Sequence, residues 1–217
     1  MIKTKILKSR EDWLEERKGR IGGSEASCIV GMNPYQTNVE LWEEKTGRRK
    51  RQDVSDSPFV RYGSEAENHL RALFELDYPR YKVDYVENNL WVNDKYPFAH
   101  ASLDGWLHDE DTGRNGILEI KTTSILQSMQ REKWNHRIPD NYFVQVLHYL
   151  MVTEFDFAIL KAQLKYDYDG DVFLTTKHYY IDRREVEEDI EYLKKAERNF
   201  YECVKNGNQP PLVLPNI

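Results

Sequence analysis

Cysteine is nearly absent: the 217-residue chain has only Cys28 and Cys203, far apart and without neighbouring Cys or His at ligand spacing. No disulfide framework and no zinc or iron–sulfur site follows from such a pair, and both thiols read as small buried hydrophobes. Long apolar runs are missing as well. No stretch approaches the ~18 residues of a membrane span, and MIKTKILKSRED lacks the apolar core of a signal peptide. A soluble, cytoplasmic protein without membrane contact is expected. Nor is there an excess of basic residues, since 31 Lys and Arg face 37 Asp and Glu for a formal charge of -6. That balance argues against coating nucleic acid nonspecifically. It leaves an enzyme acting on DNA open, because acidic residues gathered at one site leave the basic ones free to line a channel. No internal repeat, low-complexity tract or linker divides the chain, so one domain is expected.

The basic residues do cluster. Arg10, Arg17, Lys18 and Arg20 lie near the start, and Lys45, Arg48, Arg49, Lys50 and Arg51 form a tighter group. The second group, in a stretch from about 47 to 58, reads equally as a solvated loop and as a guide for a DNA strand. Helices are expected over 9–18 behind a Ser cap, over 24–30 before Gly31, from Asn38, and from Pro58 to about Asp77. Strands are expected at about 81–93, 98–107 and 116–123, followed by two helical pieces broken at Pro139. Two alternating strands joined by a Tyr-Asp-Gly turn come next, then a helix from about Arg183 to Lys205. The order implies an α/β or α+β fold, a central mixed sheet flanked by helices.

Chemistry concentrates at Asp104 and at Glu119-Ile120-Lys121. Side chains two apart on a strand share a face, so Glu119 and Lys121 point the same way. WLHDEDTGRNG carries the Asp, Asn and Gly signals of a hairpin that would bring Asp104 beside Glu119. Two carboxylates suit a hard cation, the Ile120 carbonyl offers another oxygen, and Lys121 can offset charge on a phosphoryl group. The same spacing also suits a solvated hairpin with an i,i+2 ion pair.

The segments WLEERKGRIGGSEASCIVGMNPY, YGSEAENHLRALFE, HASLDG, LEIKTT and YFVQVLHYLMVT, taken in that order, resemble the phage lambda exonuclease and YqaJ-type viral recombinase family. That family is a branch of the PD-(D/E)xK, restriction-endonuclease-like fold. The resemblance spans roughly residues 10–165; Leu103 stands where the fold's name has proline. It implies a Mg²⁺-dependent 5′→3′ exonuclease acting on ends of double-stranded DNA and leaving 3′ single-stranded tails for phage-type recombination. A two-ion site is implied, with Mn²⁺ able to substitute. Asp104 would bridge the ions, Glu119 and the Ile120 carbonyl would bind one, and Glu67 would hold a metal or its water. Lys121 would serve the nucleophile, with Gln145 near the attacking water. Arg17 and Ser24, assisted by Arg20, would receive the terminal 5′ phosphate. Gly22-Gly23 and a helix start at Ser24 make an anion site physically reasonable there. Read without the resemblance, Gln145 is a core amide and Ser24 a helix cap. The resemblance also implies a homotrimeric ring, a single-strand annealing partner, and a phage or prophage origin in a bacterial host. A structure- or sequence-specific endonuclease of the same fold, and a non-catalytic DNA-binding module, stay open.

Overall fold

The computed structural model describes residues 1–51, 54 and 56–215. Three positions of the expected 47–58 loop, residues 52, 53 and 55, lie outside them. The elements in chain order are β1 (Ile2–Ile6), α1 (Arg10–Lys18), α2 (Gly23–Ile29), α3 (Asn38–Lys45), α4 (Pro58–Asp77), β2 (Tyr81–Asp84), β3 (Asn89–Asn93) and β4 (Gly105–Asp109). They continue with β5 (Asn115–Ile125), α5 (Ser128–Glu132), α6 (Asp140–Thr153), β6 (Phe157–Tyr168), β7 (Asp171–Asp182) and α7 (Glu187–Asn206).

A five-stranded mixed sheet, ordered β2-β4-β5-β6-β7, forms the centre. β4 and β5 are an antiparallel hairpin, α6 carries the chain across to β6 in parallel with β5, and β7 returns antiparallel. At the last hairpin Asp169 (φ 51°) and Gly170 (φ 86°) both take left-handed backbone, the requirement of a tight two-residue turn. α4 starts with Pro58 in its first turn, where the missing N–H costs nothing, and lays Leu70 and Phe74 on Leu118, Ile120 and Ile159. The opposite sheet face meets α6, whose residues Val144 to Thr153 are buried on every side because α2 and α7 cover it in turn. Two cores result, one on each sheet face.

The structure departs from the sequence expectations in identifiable places. The stretch 81–93 is two strands separated by a bend, with Asn88 at φ 55°, and the second leaves the main sheet to pair with β1. β1 escapes sequence reading because its five residues, IKTKI, lie on a small surface sheet. Residues 98–104 are not a strand. They are held by bridges from Ala99 to Ile21 and from Ala101 to Trp91. α2 begins before Ser24, with Gly22 as its cap. Cys28 is buried, its thiol pushed up to about 12 by loss of solvation, whereas Cys203 is only half-buried.

Gly116 sits opposite Phe157, and a Cβ there would lie 2.3 Å from the Phe157 ring. Gly116→Val should therefore destabilise the β5–β6 junction by about 1–3 kcal/mol, the scale of overpacking. Denaturant unfolding checks this, and trimming Phe157 to Leu in the same chain should recover part of the loss.

Candidate active site

The site lies where the sheet opens. β4 pairs with β5 only as far as Gly105 opposite Leu118, while β5 runs on to Ile125, so its far half has a bare edge beyond β4. Asp104 occupies the first position past the end of β4, the next step of the register from Glu119. Its Oδ2 accepts the Ile120 N–H at 2.8 Å, replacing the missing strand partner. N–H and C=O of one strand residue point to the same side, so the Ile120 carbonyl faces this edge too.

Glu119 and Lys121 lie on the α6 side of the strand. The Glu119 side chain is 1% exposed; its Oε1 takes the Lys121 ammonium at 2.6 Å and the Gln145 amide at 2.7 Å. That burial rules out the solvated ion pair. Gln145 also donates to the Tyr149 hydroxyl at 3.0 Å, and the Tyr142 ring stands 5.1 Å from the Lys121 ammonium. The second Glu119 oxygen, Oε2, is buried and has no partner among the described residues. Such an atom is costly unless a donor or cation meets it.

From the α4 side Glu67 reaches the same edge half-buried, whereas Glu65 is exposed on another face of the helix. Glu67, Ile120, Lys121 and Thr122 line an open cavity of about 300 Å³ together with Phe59, Val60, Gly63 and Ser64 of α4. Burial first, and then the Asp104 charge, push Glu67 up to about 7 and Glu119 up to about 8. Asp104 is raised as well by burial, against the pull of Lys121, and Lys121 is raised because the carboxylates outweigh its own desolvation. Burial thus disfavours the charged carboxylates, and Lys121 compensates only part of that cost.

The donor set fits a hard divalent cation. Two carboxylates, one with an orphaned oxygen, stand beside a main-chain carbonyl, and an ion such as Mg²⁺ completes its shell with water. Among the described residues no three His, Cys, Asp or Glu side chains form a ready-made cage. Asp104, Glu119 and Ile120 would therefore hold the ion, with Glu67 reaching it or its water.

The N-terminal residues adjoin this cluster through α6. A Cβ at Gly23 would lie 2.4 Å from the Tyr149 ring and 2.9 Å from Gln145, so only glycine lets α2 approach the glutamine that grips Glu119. Arg17 stacks its guanidinium 3.9 Å from the Trp13 ring centre and donates from Nε to His100 at 2.9 Å. Ser24 is exposed in the first turn of α2 and, among the described residues, its hydroxyl has no hydrogen bond; Glu25 instead closes the helix start by accepting the Gly22 N–H at 2.9 Å. Arg20 is turned away from such a role by Glu16, whose carboxylate and carbonyl it binds at 3.2 and 3.1 Å. In the second basic group, Lys45 and Arg51 pair with Glu25 and Arg49 with Glu40, leaving less free charge than the sequence implies.

Sequence reasoning missed several supports. Arg71, one turn after Glu67, binds the Asp104 carbonyl at 2.6 Å and lies 3.6 Å over the Tyr85 ring. Tyr149 follows Gln145 by the same step; the i,i+4 spacing was the available signal. Asn89 holds Leu103 through both its side-chain amide groups and accepts the Trp13 indole on its carbonyl, tying the Arg17 stack to the chain just before Asp104. Nothing in its local sequence marks it.

A mixed sheet with carboxylates and a lysine at its open edge is the architecture of the PD-(D/E)xK, restriction-endonuclease-like fold. The YqaJ-like viral recombinase domain matches residues 12–156, and the uncharacterized protein YqaJ of Bacillus subtilis (strain 168) is 34% identical over 206 residues, 94% of this chain. The chain belongs to the YqaJ-like viral recombinase family. It spans 59% of the length of that relative. In fold it is similar to an alkaline exonuclease (LHK-Exo) from Laribacter hongkongensis, with TM-score 0.61, 19% identity, and 90% and 95% of the two chains covered. A phage related exonuclease from Haemophilus somnus 129PT gives TM-score 0.55 at 14% identity, covering 87% of this chain and 96% of that one.

The burial of Glu119, with the Asp104 charge added to it, has a measurable sign. Glu119, ordinarily titrating at 4.5, holds its proton to about 8 when folded. The metal-free protein therefore loses stability as pH rises between those values. Glu119→Gln, which keeps the shape without the charge, should melt higher than the wild type at pH 8.5 without divalent ions and show a flatter pH dependence. Thermal melts at pH 5.5 and 8.5 in chelator test this; a lower melting temperature for the variant at both pH values would contradict it.

Proposed function

We propose that the chain is a divalent-metal-dependent nuclease, a 5′→3′ exonuclease that degrades one strand of linear double-stranded DNA and leaves 3′ single-stranded tails for recombination. The observation that carries the reading is the buried Glu119 carboxylate, held on one oxygen by Lys121 and Gln145 and bare on the other, beside Asp104 at an open strand edge. Family membership and the exonuclease names of the fold neighbours support the same reading.

Mg²⁺ held in pairs by Asp104, Glu119, Ile120 and Glu67, or Mn²⁺ in its place, would activate a water and withdraw charge from the scissile phosphate. Lys121 and Gln145 fix one Glu119 oxygen so that the other faces the reacting groups. The Lys121 ammonium then offsets charge that develops on the phosphoryl oxygens. Water forms the new P–O bond and the P–O3′ bond breaks, so the 3′ oxygen leaves with the released nucleotide. The shortened strand keeps a 5′ phosphate. Arg17, the exposed Ser24 hydroxyl and the first turn of α2 would receive that phosphate, so each cut regenerates the group that is recognised. Arg20 can join only by leaving Glu16.

The assembly we propose is a trimeric ring threaded by DNA, built from one repeated heterologous interface, acting with a single-strand annealing protein. Light scattering should give three times the chain mass of 25.9 kDa. The compartment that goes with this reading is the bacterial cytoplasm. Among the described residues no helix is long and apolar enough to cross a membrane.

Linear duplex with 5′-phosphate ends should be digested in Mg²⁺ with release of mononucleotides, a 5′-hydroxyl duplex more slowly, and closed circular duplex not at all. Asp104→Asn and Glu119→Gln should each abolish cleavage while DNA binding survives. Cutting of the closed circle would replace the exonuclease by an endonuclease, and near wild-type cleavage by either variant would displace the site.

A further inference from the structure

We propose that His100 is a positioning residue that aims the Arg17 guanidinium, and thereby determines specificity for a phosphorylated DNA end; the proposal rests on the end-recognition reading above. Arg17 is fixed twice. Its face lies 3.9 Å from the Trp13 ring centre, and its Nε donates to His100 Nε2 at 2.9 Å. With Nε used in this way, the two terminal nitrogens have no partner among the described residues. They are the pair that grips a phosphate in a bidentate contact.

The imidazole can accept from Arg17 in only one form. Its other nitrogen, Nδ1, lies 3.1 Å from the Ile21 carbonyl, which can only accept, so the proton sits on Nδ1 and the Nε2 lone pair faces Arg17. Burial, with Arg17, His148, Lys45 and Arg20 nearby, keeps the ring neutral, well below the ordinary histidine range. Its position is equally constrained. A Cβ at Gly22 would lie 2.5 Å from the ring, so the glycine leaves room for it at the start of α2.

The His100 main chain is anchored on both sides. Its N–H donates to the Ile21 carbonyl at 3.0 Å, and its carbonyl accepts from His148 Nε2 at 2.8 Å. His148 Nδ1 lies 2.7 Å from Glu197 on α7, both side chains fully buried. Burial opposes charge on His148 but the Glu197 carboxylate raises it above its ordinary value, and Nε2, which faces a carbonyl, donates. A connected set of groups thus runs from α7 through α6 to Arg17.

The test compares kcat and KM on linear duplexes with 5′-phosphate or 5′-hydroxyl ends. The chains are wild type, Arg17→Ala, His100→Leu, His100→Gln, and Arg17→Ala with His100→Leu. His100→Leu should raise KM for the phosphorylated end about tenfold, the scale of one charge-assisted hydrogen bond, and leave kcat within about twofold. His100→Gln, whose amide oxygen can stand where Nε2 stands, should restore most of the preference, as simple packing would not. The double variant should be no worse than Arg17→Ala alone, since both act through one group. If His100→Leu does not fold, His100→Asn takes its place, and its shorter amide should lose the preference. Wild-type discrimination in the Leu or Asn variant, failure of Gln to rescue, or additive losses in the double variant would overturn the role of His100. A wild type blind to the end would instead overturn the end-recognition reading itself.

Discussion

The burial of three carboxylates together at a bare strand edge is the constraint around which the molecule is arranged. Burial raises Asp104, Glu119 and Glu67 above their ordinary range, the Asp104 charge adds to it at Glu67 and Glu119, and Lys121 offsets only part of the cost. A fold that merely maximised its stability would fill this edge with apolar side chains or extend β4 along it. Here β4 stops at Gly105, and the Asp104 carboxylate caps the strand edge in its place. The unfavourable charge is an arrangement that a bound cation would relieve, the usual exchange of stability for function.

The surroundings hold that arrangement still. α4 presents Glu67 and, one turn later, Arg71 on the Asp104 carbonyl; α6 presents Gln145 and Tyr149 on the opposite face. Asn89 then joins the two halves of the site, because its side chain fixes Leu103 while its carbonyl fixes the Trp13 that carries Arg17. Gly23 permits α2 to lie against Gln145, so the proposed end-recognition and cleavage sites share α6 as their wall. A displacement of α6 would disturb both at once.

Much of this was legible in the chain. α4 and its bounds follow from Pro58 and the spacing of Leu70 and Phe74, and the β4–β5 hairpin follows from the turn residues between Asp109 and Asn115. The period of two in LEIK places Glu119 and Lys121 on one face. What escaped depends on long-range pairing. β1 finds its partner only in β3, across most of the N-terminal half, and the 98–104 segment looks like a strand but lacks a neighbour along which to run. The start of α2 moved because the Glu25 carboxylate caps Gly22, a contact that a leading serine masks in the sequence. Arg20 reads from the sequence as an assistant to Arg17, but Glu16 holds it.

The central claim is that these carboxylates form a site for a divalent cation, and calorimetric titration of the protein with Mg²⁺ in buffers of different ionisation enthalpy tests it directly. Because Glu67 and Glu119 retain protons to about 7 and about 8, binding at pH 7 should release protons, and the number released should fall as pH rises past about 8. Glu119→Gln should abolish or greatly weaken binding. Mg²⁺ binding without proton release at pH 7, or binding unchanged in Glu119→Gln, would contradict the account.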